Sequence, residues 1–257
     1  MNQPSVSKFQ AGFSLLELMI VLLVLSIMMG AIFQQIANVQ KRSAAEQVKL
    51  DMFQQEREFV DQMERDLHEA GYPNQRNYAP TAITGQNDPR NAVGLVMVGN
   101  NQLWFEGDVD GDGAVDSVQY WYDTTGDNCP CLKRSQVQKV AAAPLAQGNT
   151  FQTEVQNVQN GTAGNPIFTA FRADGTQVSL TTPVDINNNP ADIANIKIIR
   201  VSLIVQARQF DLQTRQFPQI TMSNTVSLNN CSQAANCVGS GASRICGPGG
   251  GMIMSCE

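Results

Sequence analysis

The N-terminal part of the chain carries two successive hydrophobic patterns. From Phe13 to Phe33 almost every position is apolar, which matches the ~20 apolar residues that a helix needs to cross a bilayer. After Phe33 the sequence turns polar, yet apolar residues recur at helical spacing, which is typical of an amphipathic helix. This apolar stripe consists of Val48, Met52, Phe59, Met63, Leu67 and Ala70. Charged side chains fall largely off the stripe, namely Glu46, Lys49, Glu56, Arg57, Glu64 and Arg65.

Both patterns belong to one predicted helix, because no proline occurs between Phe13 and Ala70. Gly71 suits the position directly after a helix, and Pro73 prevents continuation of the helix. We therefore predict a single helix from Phe13 to Ala70, roughly 85 Å long. Its first part is apolar all round and its second part is amphipathic.

Beyond Pro73 the apolar runs become short and predict β-strands. The clearest strands are Ile196–Ala207 and Ile220–Leu228, which are rich in β-branched residues, and DLQTRQ between them predicts a hairpin. Further strand candidates are Leu95–Val98, Leu103–Phe105, Val118–Tyr122 and Ile167–Phe171. The sequence thus predicts an α+β fold in which an antiparallel sheet packs against the amphipathic half of the helix.

Changes in composition divide the chain into five segments. These are a short polar leader at 1–12, a membrane-spanning helix at 13–33, the amphipathic half of the same helix at 34–72, a β-sheet domain at 73–228 and a Cys- and Gly-rich tail at 229–257. The tail can bury little apolar surface, so we expect disulfides to order it.

Composition excludes several classes of function. The chain has 257 residues and a net charge of −6, so it lacks the basic bias of a general nucleic-acid binder. A single histidine, His68, leaves little room for histidine-based catalysis or a His-rich metal site. No nucleophile elbow, phosphate-binding loop or zinc-protease motif occurs in the sequence. We therefore expect a protein that is not an enzyme and needs no cofactor.

An even number of cysteines indicates disulfides formed outside the cytoplasm. The six candidates are Cys129, Cys131, Cys231, Cys237, Cys246 and Cys256. The Cys129-Pro-Cys131 spacing is too tight for an easy mutual bridge, and a bridge from either residue to the tail would pin the tail to the sheet. Cysteine usage places the C-terminal part outside the cytoplasm, because the few basic residues that flank the apolar segment barely decide orientation.

An acidic motif between two predicted strands matches the start of an EF-hand-type calcium loop. Its candidate ligands are Asp108, Asp110, Asp112, the carbonyl of Ala114 and Asp116. The twelfth position is Gln119 where a calcium loop has glutamate, and the flanking segments are predicted strands rather than helices. The alternative is an acidic, glycine-rich hairpin turn without a metal.

Glu17 is an acidic residue inside the apolar run. A carboxylate in a spanning helix costs roughly 2.5–3.5 kcal/mol at the bilayer centre and less near an edge. The simplest account is an acid near the membrane edge that reaches water. The functional alternative is a partner charge on another molecule.

Residues 12–33 resemble the leader and N-terminal helix of type IV pilins and pseudopilins. Gly12, Phe13, Glu17 and the apolar run Leu18–Leu25 stand in the register of that motif. The resemblance implies cleavage after Gly12 by a prepilin peptidase and N-methylation of the new Phe13 amine. It also implies that Glu17 docks on the Phe13 amine of a neighbouring subunit. A wrong axial step would leave an unpaired buried charge, so Glu17 should set the register of helix packing.

The segment Arg65–Tyr72 and the two late strands are similar to PilW-type minor pilins and to J-type pseudopilins of type II secretion. This similarity implies a minor pilin that assembles into a type IV pilus and aids initiation of assembly. A type II secretion pseudopilin and a pilus-associated adhesion or DNA-uptake module remain alternatives.

The resemblance also implies partners and a location. The partners are other major and minor pilins, a prepilin peptidase and N-methyltransferase, and an inner-membrane assembly platform. The prepilin is expected in the bacterial inner membrane as a single-pass protein with its C-terminal domain in the periplasm, and later in the pilus or pseudopilus.

Overall fold

The computed structural model describes residues 14–79, 82–83, 85–126, 129–162, 164–211 and 214–229, with the backbone of 237–238 and 245–246. Its helices are α1 (Leu15–Glu69) and α2 (Pro190–Asn195). Its strands are β1 (Gly94–Gly99), β2 (Gln102–Gly107), β3 (Asp116–Asp123), β4 (Cys131–Gln138), β5 (Gln152–Gln156), β6 (Phe168–Arg172), β7 (Val184–Asp185), β8 (Ile196–Gln206), β9 (Gln219–Ser227), β10 (Cys237–Val238) and β11 (Ile245–Cys246). Short 3-10 turns occur at Gln75–Asn77 and Pro144–Ala146.

The predicted long helix is confirmed as one uninterrupted element, α1, of 55 residues. It ends where the sequence predicts, because Gly71 adopts a φ of 82°, in the left-handed region that glycine tolerates best. The amide of Tyr72 donates to the carbonyl of Glu69 at 2.9 Å, which satisfies one of the last carbonyl groups of the helix.

The α+β prediction is confirmed, but the strands form two larger sheets rather than one. The first sheet has six strands in the order β5-β4-β3-β2-β1-β7, and the second has three in the order β6-β8-β9. A two-stranded ladder joins β10 and β11. All the pairings within these sheets are antiparallel.

The six predicted strands correspond to β1, β2, β3, β6, β8 and β9, whereas β4, β5, β7, β10 and β11 were missed. The strands β4 and β5 carry mostly polar side chains, so they lack a strong apolar signal. The strand β7 has only two residues. It lies between β6 and β8 in the chain but pairs with β1, so it belongs to the first sheet while its neighbours in sequence belong to the second.

The core lies between the second half of α1 and the sheets. Phe59, Met63 and Leu67 of the predicted stripe are at most 5% exposed and belong to one apolar cluster with β-strand side chains. The ring of Phe59 meets that of Tyr120 on β3 edge to face, with centroids 5.9 Å apart. Each fully buried side chain of this size stabilises the fold by roughly 1.5–3 kcal/mol.

A buried charged cluster fixes α1 on the first sheet. Asp66 accepts hydrogen bonds from the Tyr120 hydroxyl at 2.8 Å and from Arg134 Nε at 2.9 Å, and Arg134 Nη2 lies 2.7 Å from the same oxygen. Burial, reinforced by the Asp66 charge, raises the pKa of Tyr120 well above its ordinary value. The tyrosine therefore remains a neutral donor, and the cluster joins α1 to β3 and β4.

A second buried ion pair holds the chain between α1 and β1. Lys139 Nζ donates to Glu106 Oε2 at 2.6 Å and to the backbone carbonyls of Gln86 and Asn91, each at 2.7 Å. Burial raises the pKa of Glu106 and lowers that of Lys139, and their mutual attraction opposes both shifts. One ammonium group thereby organises residues from three separate parts of the chain.

Glu56 contradicts the expectation that charged residues of α1 lie off the buried face. It is only 1% exposed, and neither carboxylate oxygen has a hydrogen-bond partner among the described residues. Burial raises its pKa from 4.5 to about 7. Glu56 lies four residues after Met52 and three before Phe59, so it shares their inward face, and its charge was the reason that it was assigned to the outside.

The end of α1 touches β2 so closely that only glycine fits at Gly107. The amide of Gly71 donates to the carbonyl of Glu106 at 2.8 Å, and Ala70 forms a β-bridge with Gly107. A Cβ atom at Gly107 would overlap the Glu69 carbonyl oxygen.

We predict that Glu56→Gln stabilises the protein at high pH but not at low pH. Below a pH of 4.5 the acid is neutral in both the folded and the unfolded state; between 4.5 and about 7 only the folded state holds the proton, so stability falls as pH rises. The variant should raise the free energy of unfolding by about 1–3 kcal/mol above this window. Denaturation of the full chain in detergent at both pH extremes measures it, with exposed Glu58→Gln as the control. Equal effects at both extremes would contradict the assignment.

We predict that Gly107→Ala lowers the free energy of unfolding by about 1–3 kcal/mol, because the end of α1 must move away from β2. Gly148→Ala is the matched control, since a Cβ atom there meets nothing within 4 Å. Urea unfolding followed by near-ultraviolet circular dichroism compares the two variants. Indistinguishable midpoints would show that the contact at Gly107 is not needed.

Candidate functional site

The start of α1 carries Glu17 on its first turn. Ser14 precedes the helix with extended backbone, φ −68° and ψ 139°, and its carbonyl accepts from the amide of Leu18 at 3.2 Å. The helix dipole favours a carboxylate at this end. Gly12 and Phe13 lie outside the described residues, so their predicted roles stay predictions.

The apolar half of α1 is exposed along its whole length. Its most apolar window has a mean hydropathy of 2.6, and none of that window is buried. Single side chains are about half to three-quarters exposed, from Val24 at 49% to Leu15 at 76%. Ser26 donates its hydroxyl to the Leu22 carbonyl at 2.7 Å, so its polar group is satisfied within the helix. The segment is long and apolar enough to cross a membrane, and Glu17 is its only charged residue.

The acidic motif forms the connection between β2 and β3. Carboxylate oxygens of Asp108, Asp110 and Asp112 lie within 4.8 Å of one another. Asp108 accepts from the amides of Gly111 and Gly113 at 2.9 and 3.1 Å. The two glycines have φ angles of 73° and 86°, a conformation that glycine allows. The loop thus gathers three of the predicted ligands and also satisfies them with backbone donors.

Asp116 stands apart from that group, at the start of β3. It is 6% exposed and accepts from Gln136 Nε2 at 2.7 Å. Burial, assisted by the three neighbouring carboxylates, raises its pKa to about 6 against the effect of this hydrogen bond. Ala114 lies within the loop, and its amide donates to Asp112 at 2.7 Å.

Sequence reasoning missed Gln136, which connects the acidic loop to the helix. Besides Asp116, its amide group lies 3.3 Å from Asp110 Oδ2, and its carbonyl oxygen accepts from Arg134 Nη2 at 2.9 Å. Arg134 in turn binds Asp66 on α1. No sequence signal marked Gln136, because β4 was not predicted and its register opposite β3 is a tertiary property.

The expectation for the first two cysteines is wrong. Cys129 and Cys131 form a disulfide with each other, with Cα atoms 4.3 Å apart, instead of bridging to the tail. The chain turns sharply at Pro130, between the end of β3 and the start of β4, and this turn brings the two side chains together. Beside the disulfide, Lys133 Nζ donates to Asp123 at 2.6 Å and holds the pKa of that carboxyl far below its usual range.

The other four cysteines lie in the tail. The ladder of β10 and β11 places Cys237 opposite Cys246 in backbone register. Cys231 and Cys256 lie outside the described residues. The prediction of disulfides in the tail therefore stays a prediction.

A comparison with known families identifies the N-terminal segment. The family model for the prokaryotic N-terminal methylation motif matches residues 7–33. This segment contains Gly12, Phe13 and Glu17, and the match supports a type IV pilin-like prepilin, the substrate type of prepilin peptidase. The motif is that of structural pilin subunits rather than enzymes, and it supports membrane anchoring as a prepilin. The chain has no significant match among curated proteins or solved structures.

Proposed function

We propose that this protein is a minor pilin of the PilW type, a structural subunit that is cleaved after Gly12, methylated at Phe13 and assembled into a type IV pilus. The observation that carries the proposal is the arrangement of α1. A helix that opens with the methylation motif and exposes its entire apolar half continues without a break into a half docked on the β-sheets. Such a helix can lie first in lipid and later in a filament core.

Glu17 is the proposed docking residue. When α1 leaves the bilayer, other helices must replace the lipid around its apolar half. The Glu17 carboxylate would then be buried without a partner charge, unless the freed Phe13 amine of a neighbouring subunit supplies a cation. An unpaired buried charge costs roughly 3–5 kcal/mol. The pair therefore selects one axial step between neighbouring helices.

Two further features support the finer assignment. Major pilins commonly carry a helix-kinking proline in the apolar segment, and this sequence has none there, which favours a minor subunit. The Cys129–Cys131 disulfide suits an oxidising compartment and supports a periplasmic domain. We propose that the subunit aids initiation of assembly with other pilins, the peptidase and the inner-membrane platform. A J-type pseudopilin has the same requirements.

We predict that Glu17→Ala is cleaved and methylated normally but enters filaments at least tenfold less, because the axial pairing is lost. Mass spectrometry of the N-terminus measures processing, and immunoblots of sheared filaments measure incorporation. Glu46→Ala is the matched control, since Glu46 is an exposed acid on the same helix beyond the apolar segment.

Normal incorporation of Glu17→Ala would refute the docking role, and an unprocessed N-terminus in the wild-type chain would refute the prepilin assignment. Loss of protein secretion with intact pili, on deletion of the gene, would favour the pseudopilin alternative.

We also propose that the β2–β3 loop binds a structural calcium ion. The spacing of Asp108, Asp110 and Asp112 and the convergence of their oxygens within 4.8 Å support this proposal. Hard cations such as calcium take carboxylate and carbonyl oxygens as ligands, and Asp116 would join directly or through water.

We predict that calorimetry on the full chain in detergent detects calcium binding, and that Asp112→Asn weakens it about tenfold by removing one ligand charge. Asp174→Asn is the matched control, because Asp174 is an exposed turn residue that accepts from Thr176 in the same way. No heat at millimolar calcium would leave the loop as a metal-free hairpin turn.

A further inference from the structure

The β8–β9 hairpin runs along α1 towards its apolar half. Near the C-terminal end of α1, Asn229 Nδ2 lies 2.8 Å from His68 Nδ1, and Asn224 Nδ2 donates to Glu64 Oε2 at 2.7 Å. At the other end the hairpin tip, residues 208–211 and 214–218, reaches a much earlier part of the helix. Tip and helix line a cleft of about 390 Å³, whose helix wall runs from Ala37 to Val48.

The hairpin tip therefore faces the part of α1 that directly follows the apolar run. Ala37 lies four residues beyond Phe33, the last residue of the apolar run. That separation is about 6 Å along a helix, and the headgroup layer extends about 5–8 Å beyond the hydrocarbon on each side. With α1 in a bilayer, the near edge of this cleft therefore lies at the level of the lipid headgroups.

The side chains of the tip suit that position. Phe210 and Phe217 pack edge to face, with ring centroids 5.4 Å apart, and each remains 45% exposed. Arg208 and Arg215 are exposed beside them. The one acid of the described tip, Asp211, is only 8% exposed and accepts from the Thr214 hydroxyl at 2.8 Å. The tip thus presents aromatic rings and positive charge outwards.

We propose that the hairpin tip is a second membrane contact, which rests on an anionic phospholipid surface while α1 spans the bilayer. This inference rests on the proposed function, because it requires α1 to be inserted. Phenylalanine is among the residues that interfacial segments bury at the boundary of headgroups and acyl chains, and basic clusters next to a spanning helix bind anionic headgroups. Exposed Lys41 and Arg42 on α1 lie at the same level and add to the positive surface.

Charge favours lipid over a second copy of the chain as the occupant of this surface. A neighbouring α1 at the same height would bring its own Lys41 and Arg42 against the arginines of the tip, and like charges at an interface oppose binding. Lipid phosphates carry the complementary charge. The two contacts, α1 and the tip, hold the β-domain against the bilayer before assembly.

The test places a tryptophan on the tip of the full chain in nanodiscs that contain lipids brominated near the headgroup. Phe217→Trp should show fluorescence quenching beyond that of the wild-type chain when the lipid is anionic phosphatidylglycerol, and about twofold less in zwitterionic phosphatidylcholine. Phe53→Trp is the matched control, because Phe53 is 46% exposed on the same helix but about 30 Å beyond the apolar segment.

A charge variant completes the design. Arg208→Gln with Arg215→Gln, added to Phe217→Trp, should reduce quenching in anionic discs to the zwitterionic level, whereas Arg57→Gln with Arg65→Gln changes the net charge equally but should have no effect.

Absence of extra quenching, with hydrogen exchange showing Leu15–Phe33 protected by lipid, overturns the tip contact and leaves the proposed function intact. Protection of the tip only when discs hold several copies also overturns it, in favour of a protein neighbour. An apolar segment that fails to insert overturns both proposals.

Discussion

The docking of the second half of α1 on the first sheet is the contact on which the rest of the structure depends. Asp66 accepts hydrogen bonds from Tyr120 on β3 and from Arg134 on β4, and the neighbouring Leu67 is fully buried. Within the helix itself, this cluster adds directed polar contacts to the apolar ones, and it therefore fixes the rotation of α1 on the sheet. Because the charges are buried, loss of one partner would leave the other uncompensated.

That anchoring lets one helix serve two environments. The docked half is held by the β-domain, so the apolar half extends from it fully exposed and must be covered by lipid or by other helices. The close contact at Gly107 and the hydrogen bonds after Ala70 stop the helix at a defined place. The position of Glu17 relative to the domain is therefore set by the continuity of a single rigid element.

Polar connections extend the anchor to the surface of the first sheet. Gln136 accepts a hydrogen bond from Arg134 and donates one to Asp116. The acidic β2–β3 loop is therefore connected to the cluster that holds α1. The Lys139–Glu106 pair likewise fixes the segment that leads from α1 into β1, because Lys139 also binds two carbonyls of that segment. In both arrangements, directed polar contacts fix where a loop lies on the sheet. Apolar packing does this poorly because the hydrophobic effect is non-directional.

The sequence by itself determined the elements whose signal is local. The apolar run, the helical stripe, the stop at Gly71 and Pro73, the methylation motif and the late hairpin are all legible in neighbouring residues, and the family match at residues 7–33 rests on the same local pattern. Only the tertiary structure decided the division into two sheets, the burial of Glu56, the Cys129–Cys131 bridge and the link through Gln136. These depend on which distant segments pair and on how sharply the chain turns between them, and periodicity records neither.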